Sequence, residues 1–153
     1  MRRWRMQLHP DDGKLATRYA VEALGQGMIG LDFGGDYGDM RRIQASTLKP
    51  SEQDFLALAD EMQVGDLVLV IVHNRPFALA TIATDCRYTS SPQEGFCVWF
   101  RHYRRVERKT LRFYFDHVVS VKDWELFTMT DAIAPLHDPN SKSYQLIESW
   151  RAE

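Results

Sequence analysis

The stretch at residues 96–115 combines positive charge and aromatic rings more densely than any other stretch of the sequence. Its six cations are opposed by one carboxylate, Glu107, although the whole chain has a formal net charge of −2. The cations are Arg101, Arg104, Arg105, Arg108, Lys109 and Arg112, and the aromatic residues among them are Phe96, Trp99, Phe100, Tyr103, Phe113, Tyr114 and Phe115. Cations attract phosphates, and exposed aromatic faces stack on unpaired bases. The composition of this stretch therefore predicts contact with nucleic acid.

The same stretch predicts a long strand over residues 97–107, and side chains alternate between the two faces of a strand. One face would carry Trp99, Arg101, Tyr103 and Arg105, and the other Val98, Phe100, His102, Arg104 and Val106. Neither face is purely apolar, which favours a strand that lines a groove over an ordinary core strand. A structural interpretation stays open, with Trp99 and Phe100 as core, His102 as a hydrogen-bonded histidine and the arginines as a solvated face.

A glycine-rich segment at residues 27–40 is the second candidate for chemistry. Its sequence, GMIGLDFGGDYGDM, predicts a short strand over residues 28–31 followed by an ordered loop. The carboxylate of Asp32, or backbone groups of residues 34–38, would receive the exocyclic amine of a base. The alternative is simple turn chemistry, in which Asp32 caps the loop.

Apolar periodicity predicts the elements that position these segments. Strands are predicted over residues 4–8, 28–31, 67–72, 77–83 (with a continuation toward residue 88), 97–107 and 111–121. The uninterrupted apolar run at 67–72 predicts a central strand that is buried on both faces. Short strands with two or three peripheral helices predict an α+β domain around a small curved sheet or barrel.

Three helices are predicted, each with one face for packing. The first spans residues 14–24, the second begins near residue 51, and the third spans residues 142–150. Their predicted packing faces are Leu15, Tyr19 and Ala23 in the first, Phe55, Leu58, Ala59 and Met62 in the second, and Tyr144, Ile147 and Trp150 in the third.

Length and composition predict one folded domain over residues 1–153, since the chain is 44% hydrophobic and 12% aromatic. Cys86 and Cys97 lack a partner pattern and are interpreted as reduced thiols. The basic start of the chain lacks the apolar segment of a secretory signal, so a soluble cytoplasmic protein is expected. His9 and His137, each beside aspartates, have no spacing known to fix a metal, and no cofactor or catalytic constellation is predicted.

Three further segments, in order along the chain, carry a family resemblance. They are EMQVGDLVLV at 61–70, FALATIATDCRY at 77–88 and HYRRVE at 102–107. Their order and spacing resemble the EVE and YTH branch of the PUA-like superfamily. The segment at 27–40 is similar to the N-terminal specificity domains of McrBC-type modification-dependent restriction proteins. The resemblance covers about residues 28–107 and fades after residue 110, so residues 111–153 are expected to be a C-terminal elaboration.

The resemblance implies a small twisted PUA-like β-barrel flanked by helices, with a base pocket beside a basic surface. Leu31 and Arg108 stand where the family usually has tryptophan, so other aromatic residues must supply the pocket walls. The residues that the resemblance places around the base are Leu31, Asp32, Phe33, Tyr37, Tyr88, Trp99, His102 and Tyr103. Those expected to hold the nucleic-acid backbone are Arg101, Arg104, Arg105, Arg108 and Lys109.

The function that follows is a non-catalytic domain that recognises a modified, flipped-out base in DNA. It would be the specificity module of a modification-dependent restriction or defence system, with an ATPase or nuclease as partner or fused domain. One alternative is an RNA-binding PUA or YTH-type reader that acts in RNA modification or translation. A second alternative is a small enzyme that processes a nucleotide or another ligand. The partner is thus expected to be nucleic acid, with DNA favoured over RNA, and not a membrane.

Overall fold

A computed structural model describes residues 1–8, 13–32, 36–42, 48–92, 98–116, 126 and 128–152. Within these residues the chain is a mixed α+β structure with two β-sheets and three helices. The strands are β1 (Arg3–Gln7), β2 (Met28–Leu31), β3 (Leu67–Val72), β4 (Arg75–Thr81), β5 (Arg87–Tyr88), β6 (His102–Arg105), β7 (Arg112–Phe113) and β8 (Ile133–Pro135). The helices are α1 (Ala16–Gly25), α2 (Asp54–Leu56) and α3 (Lys142–Arg151).

The larger sheet is built around β3, and its strand order is β7-β4-β3-β1-β8. Strand β3 pairs in parallel with β1 and antiparallel with β4. All six of its residues are buried, because side chains of both faces pack against other elements. The prediction of a central strand at 67–72 that is buried on both faces is confirmed.

The smaller sheet has the order β2-β6-β5, with both pairings antiparallel. The two sheets meet where the chain beyond β4 pairs with the chain beyond β6, through a bridge between Ile82 and Val106. Two backbone hydrogen bonds flank this bridge, from Ala83 N–H to the Arg105 carbonyl and from Glu107 N–H to the Thr81 carbonyl. Among the described strands, no set of pairings closes into a barrel.

Three predicted strands are corrected by the observed elements. The strand expected over 97–107 is regular only over β6, because the chain bends at Arg101 before it meets β2. The strand expected over 77–83, continuing toward 88, is two strands, since β4 belongs to the larger sheet and β5 to the smaller one. The strand expected over 111–121 is β7 followed by a 3₁₀ turn at Tyr114–Asp116, and residues 117–121 lie outside the described residues.

Helix α1 packs on the core through a face that includes the predicted Ala23 but is shifted away from Leu15. Its buried residues are Ala16, Ala20, Ala23 and Leu24, while the predicted contact residue Leu15 is exposed. Small alanine side chains let the helix backbone approach the sheets closely, so the alanine face is the one that packs.

The second helix changes from α-helical to π-helical geometry, since α2 runs directly into a π-helical turn at Ala57–Glu61. The Met62 N–H closes this turn on the carbonyl of Ala57, at 2.9 Å. The predicted apolar face is confirmed for Phe55, Leu58 and Met62, which are buried. Wider turns of this kind leave carbonyl groups that must find partners elsewhere.

Helix α3 covers the outer face of the larger sheet and creates a second core. The Ser141 side chain caps its N-terminus by accepting a hydrogen bond from Tyr144 N–H. The buried residues of this core are Leu67, Leu69, Ile71, Leu79, Tyr114, Ile147 and Trp150. The predicted docking of α3 is confirmed for Ile147 and Trp150, whereas the Tyr144 ring receives the guanidinium of Arg3, 4.4 Å from its centre. No helix in the described part of the chain is long and apolar enough to cross a membrane.

Candidate functional site

The outward face of the smaller sheet carries the best candidate site. Along β6 the burial alternates as predicted, with His102 and Arg104 turned inward and Tyr103 and Arg105 turned outward. Tyr103 pairs with Gly30 of β2 on one side and with Arg87 of β5 on the other. Because paired residues project to the same face of a sheet, the half-buried Tyr103 ring lies beside an exposed cation.

A cleft of about 340 Å³ opens on this face, and we name it the Tyr103 cleft. It is lined by Gln26, Met28, Thr89, Ser91, Val98, Tyr103, Arg105 and Arg108. Its lining combines one aromatic ring, apolar side chains, neutral hydrogen-bonding groups and two cations. Ligand pockets in proteins range from about 300 to 1,000 Å³, so this cleft suits one base or one nucleotide and not a larger ligand.

Two arginines converge at one wall of the cleft. Arg105 Nη1 and Arg108 Nη2 lie 3.4 and 3.2 Å from the same acceptor, the Gln26 carbonyl at the end of α1. Within the described part of the chain neither guanidinium forms an ion pair, and Lys109 is exposed beside them. Two like charges that share one acceptor repel each other. The negative end of the α1 dipole offsets part of this repulsion, and an anion would remove it.

Close packing at Gly30 fixes the shape of the sheet around Tyr103. A Cβ atom added at Gly30 would lie 2.3 Å from Phe100 Cδ2 and 2.4 Å from the His102 carbonyl oxygen. Only glycine leaves room for both groups. The absence of a side chain at residue 30 thus lets the chain bend at Arg101 and bring Phe100 against β2.

Arg101 does not serve as a free cation, which corrects its predicted role in holding a nucleic-acid backbone. Its Nη1 lies 2.5 Å from Asp32 Oδ2, and its Nε lies 3.8 Å from Asp36 Oδ2. The two carboxylates neutralise the guanidinium. Asp32, predicted to receive a base amine, is instead the partner of Arg101.

Asp36 also organises the neighbouring tyrosine. Tyr88 Oη donates a hydrogen bond to Asp36 Oδ1 at 2.7 Å, and Gly38 N–H donates to the same oxygen at 2.9 Å. These two bonds lower the pKa of Asp36, and the same Tyr88 contact raises the pKa of the phenol. The Tyr88 hydroxyl is therefore tied to the loop at residues 36–42.

His102 has the structural role that the alternative interpretation gave it, and its predicted place at a base pocket is corrected. It is 4% exposed, and its Nε2 accepts a hydrogen bond from Met40 N–H at 2.9 Å. Its ring lies 5.1 Å from the Phe55 ring and 5.0 Å from the Tyr88 ring, between centres. Burial lowers the pKa of His102, and the nearby Asp39 and Asp32 oppose this only in part. The neutral imidazole can therefore accept the Met40 hydrogen bond at neutral pH.

Arg104 is buried, and its predicted contact with a nucleic-acid backbone is wrong. It is 2% exposed, and its guanidinium donates to the carbonyls of Leu58 at 2.6 Å, Ala59 at 3.0 Å and Thr84 at 3.0 Å. Burial lowers its pKa. The first two carbonyls belong to the π-helical turn, so Arg104 satisfies acceptors that the helix leaves unpaired.

The remaining predicted pocket residues are not brought together. Leu31 is 2% exposed and belongs to the core, Tyr37 is exposed and lies outside the cleft lining, and Phe33 lies outside the described residues. Trp99 is half-buried and packs edge-on against Phe100, and its indole N–H has no hydrogen-bond partner among the described residues. Of the predicted base contacts, the cleft therefore keeps Tyr103 alone.

Sequence reasoning did not find the neutral part of the lining, namely Gln26, Met28, Thr89, Ser91 and Val98. Met28 could have been found, since it is the register partner of Arg105. Thr89 and Ser91 carry no signal in the sequence, because they enter the cleft through the pairing of β5 with β6. A backbone hydrogen bond from Thr89 N–H to the Arg101 carbonyl, at 2.9 Å, extends that pairing.

A second depression, of about 300 Å³, lies where β1 meets α3. Arg3 in its lining is paired with Glu148 at 2.6 Å and stacked on Tyr144. Arg2 in the same lining donates to the Glu61 carbonyl at 3.2 Å. Arg3 is committed to the protein and leaves Arg2 as the other arginine of this depression, whereas two arginines converge in the Tyr103 cleft. The Tyr103 cleft is therefore the stronger candidate for an anionic ligand.

The described lining of the cleft offers an aromatic ring, neutral hydrogen-bonding groups and two guanidiniums. The hydroxyls of Thr89 and Ser91 have no histidine or carboxylate beside them in the described lining that would activate them. Burial raises the pKa of Cys86 to about 11, so this thiol stays protonated. In the described part of the chain, no group of three or more histidine, cysteine or acidic side chains is placed to hold a metal ion. Comparison with protein-family models and with curated proteins found no match for the chain.

Proposed function

We propose that this chain is a non-catalytic nucleic-acid-binding domain that receives a single base in the Tyr103 cleft. The observation that carries this proposal is the position of one accessible aromatic ring beside two arginines that have no carboxylate partner among the described residues. Stacking on an aromatic side chain contributes about 1–3 kcal/mol per base. Extruding a base from a duplex costs a few kcal/mol, so stacking needs the help of backbone contacts. Arg105 and Arg108 of the cleft lining would supply them, together with the exposed Lys109 that follows in the sequence.

The finer proposal is that the domain is PUA-like and reads a modified base in DNA. It would act in the cytoplasm as the specificity module of a modification-dependent restriction or defence system, with a nuclease or ATPase as partner. Support comes from the segments that carry the family resemblance, because they fall on the start of β3, on β4 and β5, and on β6. A curved pair of sheets joined at Ile82 and Val106 is compatible with an open relative of such a barrel.

Several residues of those segments have structural tasks in this chain. Gly65 has a φ of 90°, a conformation that favours glycine, and it turns the chain into β3. Asp66 accepts hydrogen bonds from Arg2 N–H, Trp4 Nε1–H and Gln63 N–H. Burial alone would raise the pKa of Asp66, but these three bonds outweigh it and the pKa is lowered. The segments that carry the resemblance therefore contribute residues that stabilise the fold. Base selection is proposed for the Tyr103 cleft.

The experiment that tests the proposal is a binding panel. Single-stranded and duplex DNA and RNA oligonucleotides, each unmodified and methylated, are titrated by fluorescence anisotropy at two salt concentrations. We expect one methylated DNA duplex to bind best, with affinity that falls steeply as salt rises because phosphate contacts release counterions. A preference for methylated RNA would favour an RNA reader instead. Absence of binding below about 100 μM to every oligonucleotide at low salt would rule out the proposal.

Matched variants separate the two parts of the site. Tyr103→Ala is expected to weaken binding by about tenfold or more and to remove the preference among bases, since it deletes the stacking surface. Arg105→Ala is expected to weaken binding to all sequences alike and to reduce the salt dependence. Arg151→Ala is the control, because it makes the same change in net charge on α3, against the other sheet. A loss of affinity in the control equal to that in Arg105→Ala would contradict the placement of the site.

A further inference from the structure

We infer that Arg105 and Arg108 form a phosphate subsite, so that the Tyr103 cleft recognises one nucleoside monophosphate unit with its phosphate on the Gln26 side. This inference rests on the proposed function and adds the ligand's chemical class and orientation. The unit could belong to a nucleic-acid strand or to a free nucleotide, and both carry the same base, sugar and phosphate groups.

Hydrogen-bond lengths distinguish committed arginines from available ones. Charge-assisted bonds from a guanidinium are typically about 2.7–2.9 Å long. Arg101 and Arg104 make contacts of 2.5 and 2.6 Å with their shortest partners. To the residues that the structure describes, the side chains of Arg105 and Arg108 make hydrogen bonds only with Gln26, at 3.4 and 3.2 Å. The second pair is held near one point by weak contacts and can turn toward a stronger acceptor.

The two ends of β6 differ in charge, which predicts the orientation of a ligand in the cleft. At one end Arg101 is neutralised by Asp32 and Asp36, and Asp39 lies next in the same loop. At the other end Arg105 and Arg108 have no carboxylate within ion-pair distance in the part of the chain that the structure describes. A phosphate is therefore favoured at the Gln26 end and disfavoured at the Asp32 end. A second phosphate at the Asp32 end would meet carboxylates, so the cleft is expected to hold one nucleotide unit, whether free or within a strand.

The lining between the two ends is neutral. Gln26, Thr89 and Ser91 offer amide and hydroxyl groups to a base or sugar, and Met28 and Val98 add apolar contact. Such groups select a base by its shape and its hydrogen bonds, and they do not attract a charged phosphate over a distance. Most of the difference in affinity between a nucleoside and its monophosphate should therefore come from the arginine pair.

The test compares a methylated nucleoside, its 5′-monophosphate and a single-stranded oligonucleotide that contains it, by isothermal titration calorimetry. We expect the monophosphate to bind at least about tenfold more tightly than the nucleoside, the range of a charge-assisted contact. In Arg108→Ala this ratio should fall to about threefold or less, and Arg108→Lys should restore part of it. Arg108 is exposed, so these variants are expected to fold, and thermal melting checks that they do.

The outcomes separate the inference from the proposed function. If nucleoside and monophosphate bind equally, the phosphate subsite is wrong, and the oligonucleotide titration alone decides the proposed function. If oligonucleotides bind and the monophosphate does not, the phosphate subsite is wrong and nucleic-acid binding stands. If neither oligonucleotides nor monophosphate bind, both fail. If the monophosphate binds with the predicted arginine dependence, the subsite is supported. An oligonucleotide that binds more tightly than the monophosphate then identifies a nucleic-acid ligand, and the reverse order identifies a free nucleotide and overturns the proposed function alone.

Discussion

Neighbouring arginines of residues 101–112 have different roles because their guanidinium groups contact different acceptors. Arg101 is held by a carboxylate, Arg104 by three backbone carbonyls, and Arg112 by the Trp150 carbonyl at the end of α3. Arg105 and Arg108 make only long contacts with Gln26. A guanidinium offers five donors in a fixed fork, which suits both a buried set of carbonyls and an exposed phosphate. Its function therefore depends on whether the protein itself supplies the acceptors.

Arg104 and Arg105 form a matched pair for testing this difference. We expect Arg104→Ala to lower the free energy of unfolding by about 3 kcal/mol or more, because three carbonyls in or near the core lose their donor. Arg105→Ala, with the same change in charge one residue away, should alter it by less than about 0.5 kcal/mol. Urea denaturation measures both. Equal effects of the two substitutions would show that Arg104 is not a structural cation.

The misassigned residues show why the site was only partly predictable from the sequence. Tyr103, predicted at the base, and Arg105 and Arg108, predicted at the backbone, all line the Tyr103 cleft, since their type and alternation are local properties. Arg101, His102 and Arg104 meet their partners at sequence separations of 69, 62 and 46 residues. No pattern within a single stretch carries that information. The result was that buried polar residues were assigned to the base pocket or backbone surface.

At the scale of elements, the length of a strand decides whether its sequence pattern can predict it. The bounds of β2 and β3 agree with the predicted strands at 28–31 and 67–72, because a run of apolar residues is itself the signal. The strand β8, with three residues, was not predicted, and β5, with two, was predicted only as an extension of β4. Strands this short have too few residues for a period to show. They exist because neighbouring strands supply the pairing.

The pairing of β2 with β6 depends on Gly30, which gives a test at this scale. We expect Gly30→Ala to lower the free energy of unfolding by about 2–3 kcal/mol, since the new methyl group would overlap Phe100 and the His102 carbonyl. Gly25→Ala is the control, because a Cβ at this end of α1 meets no atom within 4 Å. It should leave stability unchanged or raise it by about 0.5 kcal/mol. Thermal melting with both variants checks the difference, and a tolerated alanine at residue 30 would mean that Phe100 does not pack there.

At the scale of the whole molecule, the described residues form two hydrophobic cores, one between the two sheets and one on the outer face of the larger sheet. The larger core lies on the inner sides of both sheets and includes Trp4, Phe55 and Phe100. The smaller core lies on the outer face of the larger sheet, under α3. The sequence predicted the helix of the second core, but not that β3 would separate two cores. That arrangement places α3 away from the Tyr103 cleft, so stability and binding should respond to different residues.

Trp150 and Tyr103 test this separation together. Trp150→Ala removes the largest side chain of the second core and should lower the free energy of unfolding by about 3–5 kcal/mol. Its folded fraction should bind oligonucleotides with unchanged affinity, because α3 contributes nothing to the cleft lining. Tyr103→Ala should show the opposite pattern, with a smaller loss of stability from a half-buried residue and a large loss of binding. Denaturation and anisotropy on the same preparations measure both quantities. A loss of affinity in Trp150→Ala below its melting transition would show that the second core supports the cleft, and the two regions would then act as one unit.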